Sequence, residues 1–456
     1  MTRQKQRTRS ISTRGEARRG AAGGRDSKNP RDPKNPRDPK NARGVKFDHS
    51  RKRDPKPHGQ PNRASTHPHA RGHRPGAVGA AHGAPDAPRA GGLAPRDAIL
   101  DRELPKLMAA TDPPAIGDWL WTTRDGAERD CIEELLLRRG SEPKLTARGF
   151  APGLVVSSRA ARDPQGRLDL TFARQGFAVE ALARDVDEAG LATALASAAK
   201  LLIHSDRYAL QVFVPDTDGG NRLTQRAERI SEQVALQLAA ALPSAERIDA
   251  AELRRSTAEL VQICLCSADL AALGVVPSDQ ALSIWPGGRA RMKLGADRPS
   301  RSARKLEEAL VWLGTGPSAG EQCVDLGAAP GGWTWLLLNR RARVIAIDPA
   351  RLEPRLLEQR RLSHIQGSAF DWQPDEPVDW LFCDMAWRPL EVAQMLGRWA
   401  RKRQTRMLVA NFKLPMKRKA EMVLRLRELL AASGYQQLRT RQLYHDREEI
   451  TVTARV

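Results

Sequence analysis

The stretch Cys323-Val324-Asp325-Leu326-Gly327-Ala328-Ala329-Pro330-Gly331-Gly332-Trp333-Thr334 decides the fold. A short apolar run ends at Asp325, a turn of small residues follows, and Thr334 to Leu338 opens a helix. Strand, tight turn and helix in this order let a backbone come close to a nucleotide-like ligand. Glycine belongs there because a Cβ would strike the ligand or because φ must be positive. Taken alone, the run also fits a bare strand-to-helix turn. The chain on either side has to decide.

Downstream, strands and helices alternate. The pattern predicts a helix over 302–314, then strands at 344–348, 378–384 and 407–411 with helices near 389–401 and 417–433. Residues 437–443 and 449–455 read as a closing pair of strands. Such alternation predicts a mainly parallel sheet with helices on both faces. Open sheets of this kind place ligands at the carboxyl ends of their strands. Chemistry-bearing residues sit at those ends. Asp348 comes 23 residues after Asp325, the spacing at which an acid reaches ribose hydroxyls. Asp384 ends the strand at 378–384, and Lys413 closely follows the strand at 407–411. Lys305 lies on the preceding helix and Glu449 opens the last strand.

Upstream, two smaller α+β units are expected, over 113–183 and 184–296. In the first, 118–123, 154–156 and 168–172 read as strands, with a helix over 129–137 that Arg138-Arg139-Gly140 closes. In the second, helices over 192–203 and 223–242 flank strands at 208–214 and 259–266, with a third strand expected near 281–288. The following loop, Arg289-Ala290-Arg291-Met292-Lys293, reads as a solvated basic loop or a phosphate contact. Residues 1–112 read as tail and linker. Residues 1–95 hold 23 basic and 7 acidic side chains, against 52 and 47 in the remainder, so most of the net charge of +21 belongs to the tail. Few apolar side chains and a polar six-residue repeat, Arg25 to Ala42, predict disorder there. Such an arm either adds salt-dependent phosphate affinity or merely solubilises the chain. Six of the nine histidines lie in it without fixed spacing, so no metal site is expected.

Hydrophobic residues make up 40% of the 456, enough for real cores, yet no run is long enough to cross a bilayer. The first residues lead into no apolar segment, which argues against a secretory signal. Cys131, Cys264, Cys266, Cys323 and Cys383 form no CxxC pair and read as reduced thiols of a cytosolic protein.

The set Lys305, Asp384, Lys413 and Glu449, with Pro330-Gly331-Gly332 in the first loop, resembles the catalytic tetrad of FtsJ-type RNA ribose 2′-O-methyltransferases. The runs Pro299-Ser300-Arg301-Ser302, Lys305-Leu306-Glu307-Glu308, Cys383-Asp384-Met385, Lys413-Leu414-Pro415-Met416-Lys417 and Arg441-Gln442-Leu443-Tyr444-His445-Asp446-Arg447-Glu448-Glu449 narrow this. They are similar to the ribosomal large-subunit RNA methyltransferase M family over about residues 115–456. The resemblance implies a ferredoxin-like unit, a THUMP-like RNA-binding unit and a Rossmann-like class I methyltransferase over 297–456. It implies an enzyme that uses S-adenosylmethionine to methylate the ribose 2′-hydroxyl of a cytidine in 23S ribosomal RNA; a cytoplasmic setting is expected, and a monomer is favoured with the oligomeric state left open. Lys413 would accept the proton. Ser302, Ala329, Pro330, Gly331, Gly332, Asp348, Ser368 and Asp384 would contact the cofactor. Ala329 stands where relatives often have Cys, and Ser368 where they have an Asp beside the adenine.

The chemistry can be argued independently. A ribose hydroxyl must lose its proton as the methyl transfers. A lysine takes that proton only if its pKa falls from ~10.4 toward neutrality. Burial and a neighbouring cation, such as Lys305, both push that way, while Asp384 and Glu449 oppose it. Rival chemistries lack their residues. Amino-group methylation uses Asn/Asp-Pro-Pro-aromatic where this chain has Asp384-Met385-Ala386-Trp387. Cytosine C5 methylation needs a reactive Cys, whereas Cys383 falls inside a strand. His445 and Asp446 read as a structural turn. A catalytically silent RNA-binding or assembly factor would not need the tetrad.

Overall fold

A computed structural model describes residues 98–138, 145–249, 252–253, 255–292 and 297–456. The tail expected to be disordered, the Arg139-Gly140 helix cap and Lys293 of the basic loop lie outside these residues. Three sheets carry the described chain.

The largest sheet has seven strands, numbered here within it: β1 Gln322–Leu326, β2 Arg343–Ile347, β3 Leu362–Ile365, β4 Val378–Cys383, β5 Thr405–Lys413, β6 Gln436–Arg441 and β7 Glu449–Arg455. Their order across the sheet is 3-2-1-4-5-7-6. Strands β1 to β5 run parallel, and β7 enters antiparallel between β5 and β6. Apart from β3, the parallel strands are mainly apolar because both faces are covered. On one face, α1 (Ala303–Leu313) and α2 (Gly332–Asn339) bury Leu306, Leu310, Trp333 and Leu337. On the other, α3 (Pro389–Arg401) and α4 (Lys419–Ala432) bury Leu396, Trp399, Val423 and Leu426. Helix α1 ends at Gly314 in the left-handed region, the usual helix stop. β3 was not expected: Leu362-Ser363-His364-Ile365 is too short and polar to signal a strand, and pairing with β2 makes it one.

A four-stranded antiparallel sheet orders Ala147–Ala151, Leu154–Ser157, Trp119–Thr123 and Ala173–Ala178. Its helix Glu128–Arg138 buries Cys131, Ile132 and Leu135. The helix Ala98–Met108 lies within the span expected to be linker, and Leu104 is why: it is buried in the same core. The strand expected at 168–172 is also corrected. Apolar Leu168, Leu170 and Phe172 alternate with polar Asp169 and Thr171, which imitates a strand, although all five are buried. Their backbone, however, bonds elsewhere: the Thr171 and Phe172 amides donate to the buried Glu134 carboxylate. The strand begins only at Ala173.

A five-stranded sheet orders Ala181–Arg184, Leu270–Pro277, Glu259–Leu265, Arg207–Phe213 and Glu246–Arg247. Helices Glu188–Leu202 and Thr224–Ala241 cover it. Its first strand begins at Ala181, three residues before the unit boundary expected at 184. The strand expected at 281–288 is absent. Gln175 and Gln211 side chains take the carbonyls of Ser283 and Ile284, and the chain then makes a 3-10 turn at Pro286–Gly288. Leu270–Pro277 was overlooked because Ala271-Ala272-Leu273-Gly274 has weak strand propensity. Gly274 is needed, since a Cβ would lie 2.1 Å from the Ala178 carbonyl.

Residues 169–174 and Leu282 grip the edge strand β6 and its flanks. Thr171 Oγ1 meets Thr440 Oγ1 at 2.8 Å, the Gln442 amide donates to the Thr171 carbonyl, and Arg427 pairs with Asp169 at 2.9 Å. Arg441 donates to the Leu282 and Arg174 carbonyls. An edge that would otherwise invite pairing with another chain is thereby covered.

Candidate active site

Parallel strands put the ends of β1, β2, β4 and β5 on one rim. The antiparallel entry of β7 brings its first residue to that rim, where Glu449 is the direct cross-strand partner of Lys413. Residues so paired present their side chains on one face. Lys305, from the first turn of α1, completes the group. Its ammonium lies 3.2 Å from Asp384 Oδ1 and also donates to Glu449 Oε2.

Lys305, Asp384 and Glu449 are each mostly buried, and their charges decide how they sit. Burial pushes the Asp384 carboxyl up to about 6, against the pull of Lys305 and with a further push from Glu449. Burial works to lower Lys305, but Asp384 and Glu449 outweigh it, so the Lys305 ammonium is held above its ordinary value. Lys413 differs from expectation. The buried run of β5 stops at Phe412, and Lys413 is exposed. Among the described residues it has no carboxylate within ion-pair distance, although its charge still acts on Asp384. Both carboxylates serve Lys305.

At the other end, Ala329, Asp348, Ser368 and Asp384 line one cavity of about 340 Å³, together with Phe370 and Trp387. Asp348 Oδ2 accepts from the Ala329 amide at 3.0 Å and Oδ1 from the Ala350 amide at 2.8 Å. These bonds fix the carboxylate that ends β2. The Ser368 hydroxyl accepts from the Phe370 amide. Ser302, Pro330, Gly331 and Gly332 do not line the cavity. They shape it from behind. Gly331 has φ of 116°, and a Cβ would lie 2.2 Å from Leu356 Cδ1. A Cβ at Gly332 would lie 2.2 Å from Ser300 Oγ and 2.4 Å from Ser302 Oγ. Trp333 Nε1 donates to the Ser302 carbonyl at 3.0 Å, tying the loop to the start of α1. The protein's own packing thus demands both glycines, and the positive φ expected from sequence is present at Gly331.

Asp325, below this loop, is fully buried. Thr334 Oγ1 donates to its Oδ2 at 2.6 Å, while Oδ1 has no partner among the described residues. Burial pushes its carboxyl up to about 7. A buried acceptor left open calls for a donor.

The nearby groups of competing chemistries are structural. Cys383 is buried, and burial pushes its thiol up to about 12, too high for a thiolate nucleophile at neutral pH. Asp446 accepts from the Leu443 amide, Thr451 Oγ1 and Asn411 Nδ2, and burial drives its carboxyl well above the ordinary range. His445 Nδ1 sits 2.7 Å from Glu308 Oε2, and Glu308 also accepts the Tyr444 and His445 amides. This bracing of the turn before Glu449 was not read from sequence. Glu308 falls in the quoted helical run, but only its contact across the sheet reveals its use. Arg289 of the basic loop is likewise internal, donating to the Pro215 carbonyl at 2.6 Å and to Asn221 Oδ1 at 2.9 Å.

Known proteins can be set beside this geometry. Residues 298–421 match the family model of the FtsJ-like methyltransferases. The ribosomal RNA large subunit methyltransferase M of Thauera aminoaromatica is 36% identical over 291 residues, which cover 61% of this chain and 77% of that protein. The chain belongs to the ribosomal RNA large subunit methyltransferase M family. The Xylella fastidiosa M12 member is 38% identical over 62% of this chain and 81% of its own. The Methylococcus capsulatus member is 36% identical over 367 residues, covering 75% of this chain and 98% of its own, so the likeness within the family reaches both smaller sheets.

Proposed function

We propose that the chain transfers a methyl group from S-adenosylmethionine to the ribose 2′-hydroxyl of a cytidine in 23S ribosomal RNA, with Lys413 as general base. The observation that carries this is the convergence of Lys305, Asp384, Glu449 and Lys413, from four separate elements, on one rim beside the cavity. Membership of the family supports ribosomal RNA as substrate.

The residues present fit S-adenosylmethionine. The cavity is bounded by a loop whose tight packing a Cβ would disrupt. Asp348 stands at the end of β2 to take ribose hydroxyls, Ser368 lies on the adenine side, and the open Oδ1 of Asp325 awaits a cationic donor. When bound, the cofactor supplies an electrophilic methyl group on a positively charged sulfur.

The protein's residues then have separable tasks. Asp384 and Glu449 hold Lys305 as an ammonium, which can donate to the hydroxyl oxygen and fix its orientation. Lys413, not engaged by those carboxylates, faces solvent where a polynucleotide would dock. Docking covers its ammonium, and desolvation favours the neutral, proton-accepting amine. Neutral Lys413 takes the hydroxyl proton as the oxygen gains the methyl group.

On this reading the four-stranded sheet is the ferredoxin-like unit and the five-stranded sheet the THUMP-like RNA-binding unit. On the same reading the enzyme works in the cytoplasm. The test offers labelled S-adenosylmethionine with protein-free 23S RNA and with assembled large subunits. Incorporation into the free RNA in preference to subunits is expected, and incorporation into neither would instead favour a silent assembly factor.

A further inference from the structure

Trp387 is the large aromatic of the rim that the mechanism leaves unused. Half of it is exposed, at 51%, although it lines the same cavity as Asp384. Exposed tryptophan is costly in apolar surface, and a free ring would be disordered by its own rotamers. This ring is fixed. Its Nε1 donates to Glu391 Oε2 at 2.7 Å, and Arg388 holds the other Glu391 oxygen at 2.9 Å. The Phe370 ring stands against it, 5.8 Å between centroids and tilted by 58°. Its own amide is tied to the Met385 carbonyl. An indole locked in place with a face left open has the form of a stacking platform, and single-stranded bases are held by such platforms.

We propose that Trp387 stacks on the base of the nucleotide whose ribose is methylated. The inference rests on the functional reading above. Position argues for the substrate base over the adenine of the cofactor. Trp387 follows β4 and lies three residues beyond Asp384, the carboxylate that binds Lys305 at the transfer end. On the functional reading above, the adenine lies by Ser368 and Ala369 after β3, beside Asp348 after β2, all of which line the cavity. A base arriving from solvent meets the exposed half of the indole first. A base is bonded directly to its ribose, so stacking on Trp387 would bring the 2′-hydroxyl to the part of the cavity that Asp384 lines. Stacking reads no hydrogen-bond edge, so it supplies hold and orientation without selecting cytosine.

The test compares wild type, Trp387→Ala and Trp387→Phe in the full chain, with protein-free 23S RNA as substrate. Calorimetry measures cofactor affinity separately, and thermal unfolding confirms that each variant is folded. The expected result for Trp387→Ala is a rise of about 10- to 100-fold in KM for RNA with cofactor affinity unchanged, and substantial recovery in Trp387→Phe. Weakened cofactor binding in Trp387→Ala would overturn the proposal and make the ring a cover for adenine. An unchanged KM would overturn it as well. Wild type that transfers no methyl group would overturn the functional reading itself, which no variant is needed to see.

Discussion

The two halves of the rim are built by different means. Around β1, β2 and β3 the shape is set by backbone: Gly331 and Gly332 pack where no Cβ fits, and Asp348 is fixed by two amide donors. Around β4, β5 and β7 the shape is set by charge: one lysine between two carboxylates, and a second lysine left beside them. A backbone-built cradle depends on which residues lack side chains. A charge-built wall depends on which atoms carry protons. The first should therefore fail through cofactor affinity and the second through turnover and pH.

The sharpest division comes from Lys413→Ala. It should lower kcat by about 10²–10⁴-fold while cofactor affinity stays within about twofold. Near-wild-type turnover would remove Lys413 from the role of base. Gly331→Ala tests the other half. With φ at 116° and Leu356 in the way, the loop must shift, and cofactor affinity should fall by at least about tenfold. Calorimetric binding equal to wild type would show that the loop does not shape the cavity.

A smaller effect separates the halves by pH. Lys413 must be neutral and Asp384 ionised for transfer. Because Asp384 is raised to about 6, it takes up its proton as pH falls through that value. Log kcat/KM should thus gain an additional downward slope of about 1 per pH unit below pH ~6. No added slope down to pH 5 would mean that Asp384 need not be charged. Stability moves the opposite way to activity. The folded protein binds the Asp384 and Asp325 protons more tightly than the unfolded chain, so their contribution favours folding below pH ~4 and is lost as pH rises through 6 and 7. The least effect is expected from Ser368→Asp, which should tighten cofactor binding by about 2- to 10-fold through a stronger acceptor on the adenine side. No change would remove Ser368 from the contact.

Much of this division was legible in the chain. Strand-end placement of Asp348, Asp384 and Lys413 follows from apolar runs that stop, and those runs are long enough in β1, β2, β4 and β5 to be read. What escaped depended on contacts between distant segments. Glu134 satisfies the backbone at 171–172, so alternating apolar residues there make no strand. Gln175 and Gln211 do the same at 283–284. Within the site, sequence placed four charged residues together but not their pairing. That both carboxylates serve Lys305 depends on α1 reaching the start of β7, 144 positions away. Trp387 was seen only as a departure from another motif, since nothing local shows that its indole is pinned by Glu391.

The central claim is that this wall deprotonates a ribose hydroxyl. The most direct measurement transfers labelled methyl from S-adenosylmethionine to protein-free 23S RNA and then hydrolyses the product with alkali. A 2′-O-methyl group blocks cleavage of the adjoining phosphodiester, so the label should remain in an alkali-resistant dinucleotide whose 5′ nucleoside is cytidine. Label released in mononucleotides, on a base, would contradict it.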